Sequence, residues 1–553
     1  MLPITVLRAA LLVLLVTLLS ACGGGGGGVA GGVGSGGTGA SVGVVQVAVT
    51  DAPAPDLDHV WVTVTKFRFH LSSTAEPDDA GWLDYPLATP VTLDLAALNN
   101  GALSSVLGAL SLPAGDYQQF RLVLASQDPV ATGSSQQKSG LTYYDQVDYT
   151  DASSVSHSVP LEIANPAEGI KVAGDFNVLA GQTLRLAFDF NIGDDVVKVL
   201  RNGSNAYTLK PHLHYFDLDH AGTITGKLDT TSLSNAGAYD LVVKVERPNA
   251  AGDLHYVVRS TSVRSDGSFT LFPLPAPVSG ATTSVDVLIR GRNMATMVIK
   301  GVPVSAGTTT ALTTDPIAVS SSSEYTANMP TGTLVPSGAW VEFYQTLPGS
   351  GELPYEVNYR QGNPFTGNFT DAVNLASANL EYASYSNGAD LSFTGAPPAQ
   401  GAGSFSAMAA MDDLQPSAAV GVAPPASGNG PVSFSFPALQ PVSGYSLDSV
   451  SGSVTQAAGT YDSGFLVLTR DGLIANTLDL GTTLAQGSGA GGAYSLGDLA
   501  GGSTASNQAG TLYYGYVIVW NSAHPLSTLS IQLFSGSANL SKGSATGYDL
   551  TLQ

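Results

Sequence analysis

From Val44 onward, short stretches of alternating apolar and polar residues are separated by turns rich in glycine and proline. Examples are "VVQVAVT" (Val44–Thr50) and "VWVTVTKFRFHL" (Val60–Leu71). A period of two puts successive side chains on opposite faces of a strand, a pattern that a helix cannot bury on one side. Because such stretches recur about every 8–12 residues, they favour sandwiches of strands. We therefore predict an all-β chain of tandem antiparallel β-sandwich domains.

Length and charge limit the remaining possibilities. The 553 residues exceed what one core supports, so about three to five domains are expected. The net charge of −22, from 43 acidic and 21 basic residues, argues against nucleic acid as a partner and against docking on anionic lipid. The chain has one cysteine, Cys22, so no intrachain disulfide can form.

The first 22 residues have the pattern of a secretion signal. Arg8 precedes an apolar run, Ala9–Leu19, that is shorter than the ~20 residues a membrane-spanning helix needs. The sequence "LSAC" (Leu19–Cys22) resembles the lipobox of bacterial lipoproteins. That resemblance implies cleavage between Ala21 and Cys22 and attachment of diacylglycerol and a further acyl chain, such as palmitate, to Cys22. The alternative is an ordinary signal peptide with a chance cysteine.

A glycine-rich segment follows the cysteine. Residues 22–42 hold little besides Gly, Ser, Val, Thr and Ala, and such a chain behaves as a flexible coil. We interpret it as a tether between a lipid anchor and the folded part. Gly23 stands where inner-membrane lipoproteins carry Asp, so the resemblance favours the outer membrane of a bacterial cell envelope over the inner membrane.

Residues 43–220 are predicted to form a first β domain. Strands are expected at Val44–Thr50, Val60–Leu71 and 91–98, and a short helix within 99–110. Seven motifs in order resemble the bacterial domain of unknown function 4382 (DUF4382): "VTDAP", "VTVTKFRFH", "LDLAALNNGA", "LPAGDYQQFRLVL", "GIKVAGDFNVLAGQ", "FDFN" and "LKP". The resemblance implies a β-sandwich-like fold in a cell-envelope protein, and it carries no catalytic residues.

Two sets of residues in this domain are candidates for metal binding. Asp51, Asp56 and Asp58 lie close together in the sequence, as oxygen ligands of calcium would, although Asp beside Pro is also common in turns. His212 and His214 alternate as zinc ligands on a strand can, with Asp217, Asp219 and His220 just beyond. The alternative for the histidines is a partly exposed strand end. No cofactor is otherwise indicated.

One aromatic loop is a candidate for sugar binding. The stretch "TYYDQVDYTD" contains Tyr143, Tyr144 and Tyr149 among carboxylates, a mixture suited to stacking on sugar rings. It is equally consistent with an exposed insertion loop.

The rest of the chain contains an internal repeat. "GSFTLFPLPA", "GNFTDAVNLA" and "GAYSLGDLAG" begin at Gly267, Gly367 and Gly492. Their spacing favours tandem domains: a first module (221–320), a second module (321–415), a linker (416–431) and a third module (432–553). The first module resembles carboxypeptidase-regulatory-like, prealbumin-type β-sandwiches in "DGSFTLFPLPA" and "VDVLIRG".

The sequence contains no motif for a nucleophile with its base, and its glycine-rich stretches do not lie between a strand and a helix. We expect a lipid-anchored envelope protein, not an enzyme, with a binding or structural role toward a polysaccharide or an envelope protein. The alternative is a secreted hydrolase or a metal-dependent envelope enzyme.

Overall fold

The computed structural model describes residues 41–552 except 53–56, 173, 202–203, 233–239, 330–337, 348–350, 364, 366–371, 388, 395–404, 413, 424–430, 457–459, 485–490, 503–510, 524–529 and 535. Ala21, Cys22 and the glycine-rich segment up to residue 40 lie outside the described residues. Ser41–Gln553 is one compact unit. Within the described part, no helix is long and apolar enough to cross a membrane.

The fold is all-β. In the described part of the chain, the helices are the four-residue α1 (Ser135–Lys138), α2 (Ile192–Asp195) and α3 (Gly481–Leu484), and the 3-10 turns are Leu95–Leu98, Leu218–His220 and Thr230–Ser232.

The first domain contains fourteen strands among the described residues. They are β1 (Val42–Asp51), β2 (His59–His70), β3 (Leu83–Asp94), β4 (Ser104–Pro113), β5 (Gly115–Tyr117), β6 (Gln119–Leu124), β7 (Gln146–Thr150), β8 (Ser156–Ile163), β9 (Ile170–Val172), β10 (Phe176–Val178), β11 (Thr183–Phe190), β12 (Val196–Arg201), β13 (Ser204–Leu209) and β14 (His214–Asp217). A 4-stranded sheet, β14-β11-β1-β4, and an 8-stranded sheet built around β2 supply the core. The alternating valines of β1 and β2 are fully buried there, as their period of two predicts.

The predicted helix within 99–110 is wrong. Residues from Ser104 form β4, which runs antiparallel to β1 from Val49↔Ser104 to Val42↔Pro113. Val106 and Leu112 are both buried, and an even number of residues separates them, as expected for side chains on one face of a strand. The glycine at position 101, with a φ of +78°, turns the chain before this strand.

The first module contains β15 (Ala221–Lys227), β16 (Val242–Pro248), β17 (His255–Ser262), β18 (Ser268–Pro275), β19 (Thr283–Arg290), β20 (Met297–Val304) and β21 (Thr309–Ala311). The second module and the segment after it contain β22 (Glu324–Asn328), β23 (Trp340–Gln345), β24 (Tyr355–Gln361), β25 (Val373–Ala376), β26 (Glu381–Ser384), β27 (Phe405–Ala410), β28 (Leu414–Gln415), β29 (Val420–Val422), β30 (Val432–Ser433) and β31 (Gln440–Pro441). The third module contains β32 (Tyr445–Gln456), β33 (Ser463–Arg470), β34 (Leu473–Asp479), β35 (Gly491–Gly502), β36 (Leu512–Trp520), β37 (Ser530–Leu533), β38 (Ala538–Asn539), β39 (Ala545–Thr546) and β40 (Leu550–Leu552).

These three modules share one strand topology. One sheet places an opening strand between a repeat-bearing strand and a short parallel strand, in the orders β18-β15-β21, β25-β22-β30 and β35-β32-β39. The other sheet follows the orders β17-β16-β19-β20, β24-β23-β27-β29 and β34-β33-β36-β37. The strands that overlap the three sequence repeats, β18, β25 and β35, therefore occupy equivalent positions.

The predicted linker 416–431 contains structure that belongs to the second module. Val420–Val422 forms β29, which pairs with β27. Val422 is buried in the same apolar cluster as Phe436 and Leu439, so its side chain is held by packing that a free linker would lack. In addition, β26 pairs in parallel with β20 and extends a sheet of the first module. Neighbouring modules therefore share sheets and core residues.

The third module contacts the first domain through a tight hairpin. Asp471 and Gly472 form the two-residue turn between β33 and β34, with φ of +55° and +82°. A side chain at Gly472 would lie 2.6 Å from the Gly169 carbonyl oxygen, so the close approach requires glycine. Asp471 accepts a hydrogen bond of 2.7 Å from the buried Arg121 guanidinium. The carboxylate at the hairpin of the third module thus neutralises a cation inside the first domain.

Candidate functional site

Two adjoining cavities lie where the first domain meets the modules. We call them the histidine cavity, of about 510 Å³, and the arginine cavity, of about 500 Å³. Their linings share four residues, Asn191, Asp194, Ser260 and Tyr359. Ligand sites occur preferentially at such junctions between domains, so these cavities form the candidate site.

The first domain contributes the helix α2, which two sequence motifs hold in place. Asp51, the last residue of β1 in the "VTDAP" motif, accepts a hydrogen bond of 3.1 Å from the Ile192 backbone N–H. The Ala52 N–H donates to the Phe190 carbonyl in the "FDFN" motif at 3.0 Å. Burial raises the pKa of Asp51 well above its ordinary value. These contacts fix the turn that carries Asp194 into both cavities.

The first module is fastened to the same corner by Arg259, a residue of β17. Its guanidinium donates to the Thr50 hydroxyl at 2.7 Å and to the Asp51 carbonyl at 2.9 Å, and it also contacts the Asp189 carboxylate. Arg259 and Thr50 are buried. A charge-assisted set of this kind is strong in a dry environment and costly to break.

His212 is central to the histidine cavity. Its Nε2 lies 3.3 Å from Asp412 Oδ2, its Nδ1 lies 4.0 Å from Asp195 Oδ1, and its ring meets the Trp340 ring edge-on at 4.9 Å. Burial lowers the pKa of His212, but the charge and hydrogen bond of Asp412 together with the charge of Asp195 outweigh burial, and the net pKa is raised. Burial raises the pKa of Asp412, but the charge and hydrogen bond of His212 lower it, and the net pKa lies below its ordinary value. The two residues thus form an ion pair on the cavity wall.

Two further groups beside His212 titrate near neutral pH. Burial raises the pKa of Asp195 to about 7. Burial lowers the pKa of Lys210, in the "LKP" motif, to about 8. The Lys210 ammonium donates a hydrogen bond of 2.8 Å to the Gly338 carbonyl of the second module. Both groups are buried beside the histidine cavity, and Asp195 contributes to its lining.

The structure brings the two candidate zinc histidines to one cavity, because His212 and His214 both line it. The residues beyond them pair with other groups: Asp219 contacts Arg185, and His220 lies 2.7 Å from Asp217. Among the described residues, no three His, Cys, Asp or Glu side chains are grouped as a metal ion requires. The zinc site stays a prediction.

The three candidate calcium ligands lie in different surroundings. Asp51 is fully buried at the end of β1, where a raised pKa disfavours the ionised form that calcium needs. Asp58 is exposed and accepts a hydrogen bond of 2.7 Å from the Thr150 hydroxyl. Asp56 lies outside the described residues. The calcium site stays a prediction, and the structure gives Asp51 a structural role.

The tyrosines proposed for sugar stacking do not form a common platform. Tyr149 is buried in the core of the first domain, with its ring stacked at 4.9 Å on His157. Because β7 turns this side chain inward, Tyr149 packs within the domain, and its role in sugar binding stays a prediction. Tyr143 and Tyr144 are half-buried, and the Tyr144 hydroxyl accepts a hydrogen bond from the Ala131 N–H at 3.2 Å.

Sequence reasoning missed the cavity residues of the modules. Trp340 and Tyr359, with ring centroids 6.4 Å apart, lie on the paired strands β23 and β24. Arg259 and Asp412 were also missed, since their partners lie far away in the sequence. An available signal was a charged residue directly after apolar strand residues, as at Arg259 after Val257 and Val258.

Among curated proteins, none matches this chain. Two matching solved structures are the pilus adhesin SpaC from Lactobacillus rhamnosus GG and the major pilin SpaA from Corynebacterium diphtheriae, each 10% identical. The SpaC match covers 88% of this chain and 52% of the adhesin with a TM-score of 0.14, so the chain spans about half the adhesin's length. The SpaA match covers 60% of this chain and 99% of the pilin with a TM-score of 0.11. Residues 42–211 match the family model described as "Domain of unknown function (DUF4382)", so this part of the first domain is similar to that family.

Proposed function

We propose that this chain is a lipid-anchored protein of the bacterial cell envelope with a non-catalytic binding or structural role. The observation that carries the proposal is the single compact unit of Ser41–Gln553, in which buried charged contacts join the modules. A stiff body behind a glycine-rich tether is suited to holding a ligand or partner away from a membrane. The outer membrane is the preferred location because Gly23 follows Cys22.

The partner class that we propose is a polysaccharide or an envelope protein. Aromatic rings beside charged side chains, as Trp340 and Tyr359 are beside His212 and Asp412, are suited to polar ligands with an apolar face. The excess of acidic residues supports neither nucleic acid nor anionic lipid as the ligand.

The lipid anchor is tested by labelling cells with palmitate and fractionating their membranes. We expect the full chain and a control Ser35→Ala, within the same tether, to incorporate label and to sediment with outer membranes. Cys22→Ser should lose both properties. A Cys22→Ser protein that still carries palmitate and still sediments with membranes would overturn the anchor.

The binding role is tested by a glycan array and by a pulldown from envelope extract with the full chain in detergent. Saturable capture in either assay supports it. Silence in both, accompanied by hydrolysis of a polysaccharide or peptide panel, would contradict the non-catalytic assignment.

The second candidate is a secreted hydrolase or a metal-dependent envelope enzyme. The observation that favours it is Asp195, with a pKa of about 7, beside His212 in the histidine cavity. Metal analysis of the purified protein discriminates. Stoichiometric zinc that is lost in His212→Ala and His214→Ala, together with hydrolysis lost in Asp195→Asn, would establish this candidate.

A further inference from the structure

The arginine cavity has a charge balance opposite to that of the whole chain. Acidic residues outnumber basic ones in the sequence, 43 to 21. In the cavity lining, the basic residues outnumber the acidic ones. The basic residues are Lys198, Lys244, Arg290, Arg292 and Arg360, and the acidic ones are Asp194, Asp240 and Glu324. A concave surface that concentrates cations in a strongly acidic protein attracts an anion.

Two of these cations lack a carboxylate partner. Arg290, at the end of β19, has a buried Nε without a hydrogen-bond partner, and nothing in the described part of the chain forms an ion pair with its guanidinium. Arg360 donates to neutral acceptors, the Asn358 side chain at 2.9 Å and the Tyr359 carbonyl at 2.8 Å. By contrast, Lys244 is paired with Glu356 at 3.0 Å. Arg290 and Arg360 are thus two lining cations that form no ion pair with a carboxylate among the described residues.

The two guanidinium groups are close enough to affect each other. Burial lowers the pKa of Arg290, and the positive charge of Arg360 lowers it further, whereas the charges of Asp194, Glu356 and Asp240 raise it. A buried guanidinium Nε without a hydrogen-bond partner is costly, and an oxyanion that accepts hydrogen bonds from both arginines would offset that cost.

The surroundings of the arginines favour a sugar as the carrier of the anion. The Oε1 atom of Gln361 is buried without a partner in the same cavity, so it can accept a hydrogen bond from a ligand hydroxyl. Tyr359 lines both cavities and offers an aromatic ring against which a sugar can pack. An acceptor, an aromatic ring and a pair of guanidinium groups match a polyhydroxylated ring that bears a carboxylate.

We propose that the arginine cavity binds a uronic-acid unit of an acidic oligosaccharide. The carboxylate is held by Arg290 and Arg360, a hydroxyl donates to Gln361, and the ring packs on Tyr359. This assignment rests on the proposed binding role and names its ligand class. The cavity volume of about 500 Å³ is within the range of ligand-sized pockets.

Calorimetric titration of the full chain in detergent, at constant ionic strength, tests the assignment. The probes are trigalacturonate, its fully methyl-esterified form and an acidic hexapeptide. We expect saturable binding of trigalacturonate and binding of the ester at least about tenfold weaker, because the ester lacks the charge that the arginines recognise. Arg290→Gln and Arg360→Gln should each weaken trigalacturonate binding by about tenfold, and Arg290→Lys by less.

The matched control is Arg185→Gln, an arginine outside both cavities that contacts Asp219 on the surface, and its affinity should equal that of the unchanged protein. Equal binding of acid and ester, equal losses in Arg185→Gln and Arg290→Gln, or no binding of trigalacturonate would each overturn the assignment. Tighter binding of the hexapeptide would also overturn it in favour of an acidic peptide. If the glycan array yields neutral sugars and Cys22 still directs membrane attachment, the uronate assignment falls while the proposed function stands.

Discussion

The interiors of the β modules and the junctions between them are built from different side chains. The interiors consist of valine, leucine, isoleucine and aromatic residues that are almost fully buried, such as Val62 and Val287. The junctions depend on buried charges, including Arg121, Arg259 and Lys244. Apolar burial is stabilising without exact partners, whereas a buried charge is costly unless a counter-charge or hydrogen bonds compensate for it. The apolar pattern therefore determines each sheet, and charge pairing determines how the modules fit together.

An apolar cluster accompanies the charges at one junction. Val197 and Val199 of the first domain pack with Phe365 of the second module and with Ile518 and Trp520 of the third. Interiors and junctions therefore both bury apolar surface. The junctions differ because they also require ions of opposite charge to meet, which specifies how the modules pair.

The largest effect is expected inside the first domain. Phe188 is fully buried and stacks on Phe120 with ring centroids 4.5 Å apart. Phe188→Ala should lower the free energy of unfolding by about 3–5 kcal/mol, since it removes apolar contacts and leaves a cavity. Urea unfolding monitored by circular dichroism measures the change. Leu179→Ala, at an exposed position, is the control and should change it by less than about 0.5 kcal/mol. A loss below about 1 kcal/mol for Phe188→Ala would contradict the assignment of this residue to the core.

A smaller, pH-dependent effect is expected at the junction between the first domain and the third module. Glu168 lies 3.5 Å from Arg121, and burial raises its pKa from 4.5 to about 7. Because the folded state binds the proton more tightly, the stabilisation from this group is present below pH 4.5 and is lost as the pH rises through about 7. The unfolding free energy of the unchanged protein, relative to Glu168→Gln, should fall by about 3 kcal/mol between pH 4 and pH 8. Urea unfolding of both proteins across that range measures the difference in unfolding free energy. A difference that stays constant with pH would contradict the raised pKa of Glu168.

The smallest effects distinguish buried from surface ion pairs. A double-mutant cycle with Arg121→Met and Asp471→Asn should give a coupling energy of about 1–2 kcal/mol, because the guanidinium is fully buried. The matched surface pair, Arg185 with Asp219, should couple by less than about 1 kcal/mol, since the arginine side chain is 55% exposed. Equal coupling energies for the two pairs would remove the distinction between junction and surface.

The sequence was sufficient to predict the strands and insufficient to predict the junctions. Alternation predicted β1 and β2, because a period of two directly reports one buried face. The helix predicted within 99–110 was wrong. Its Ala and Leu residues favour a helix locally, but the pairing of Ser104–Pro113 with β1 imposes a strand. The site depended on contacts such as Arg121 with Asp471, which are 350 residues apart in the sequence. No local pattern identifies a partner at that distance, so the cavities could not be predicted.

The central claim is that paired charges join the first domain and the three modules into one compact body. Small-angle X-ray scattering of residues 41–553 measures this most directly. A compact body of this length should have a radius of gyration of about 24 Å. A value above about 35 Å, as expected for modules strung loosely along the chain, would contradict the claim.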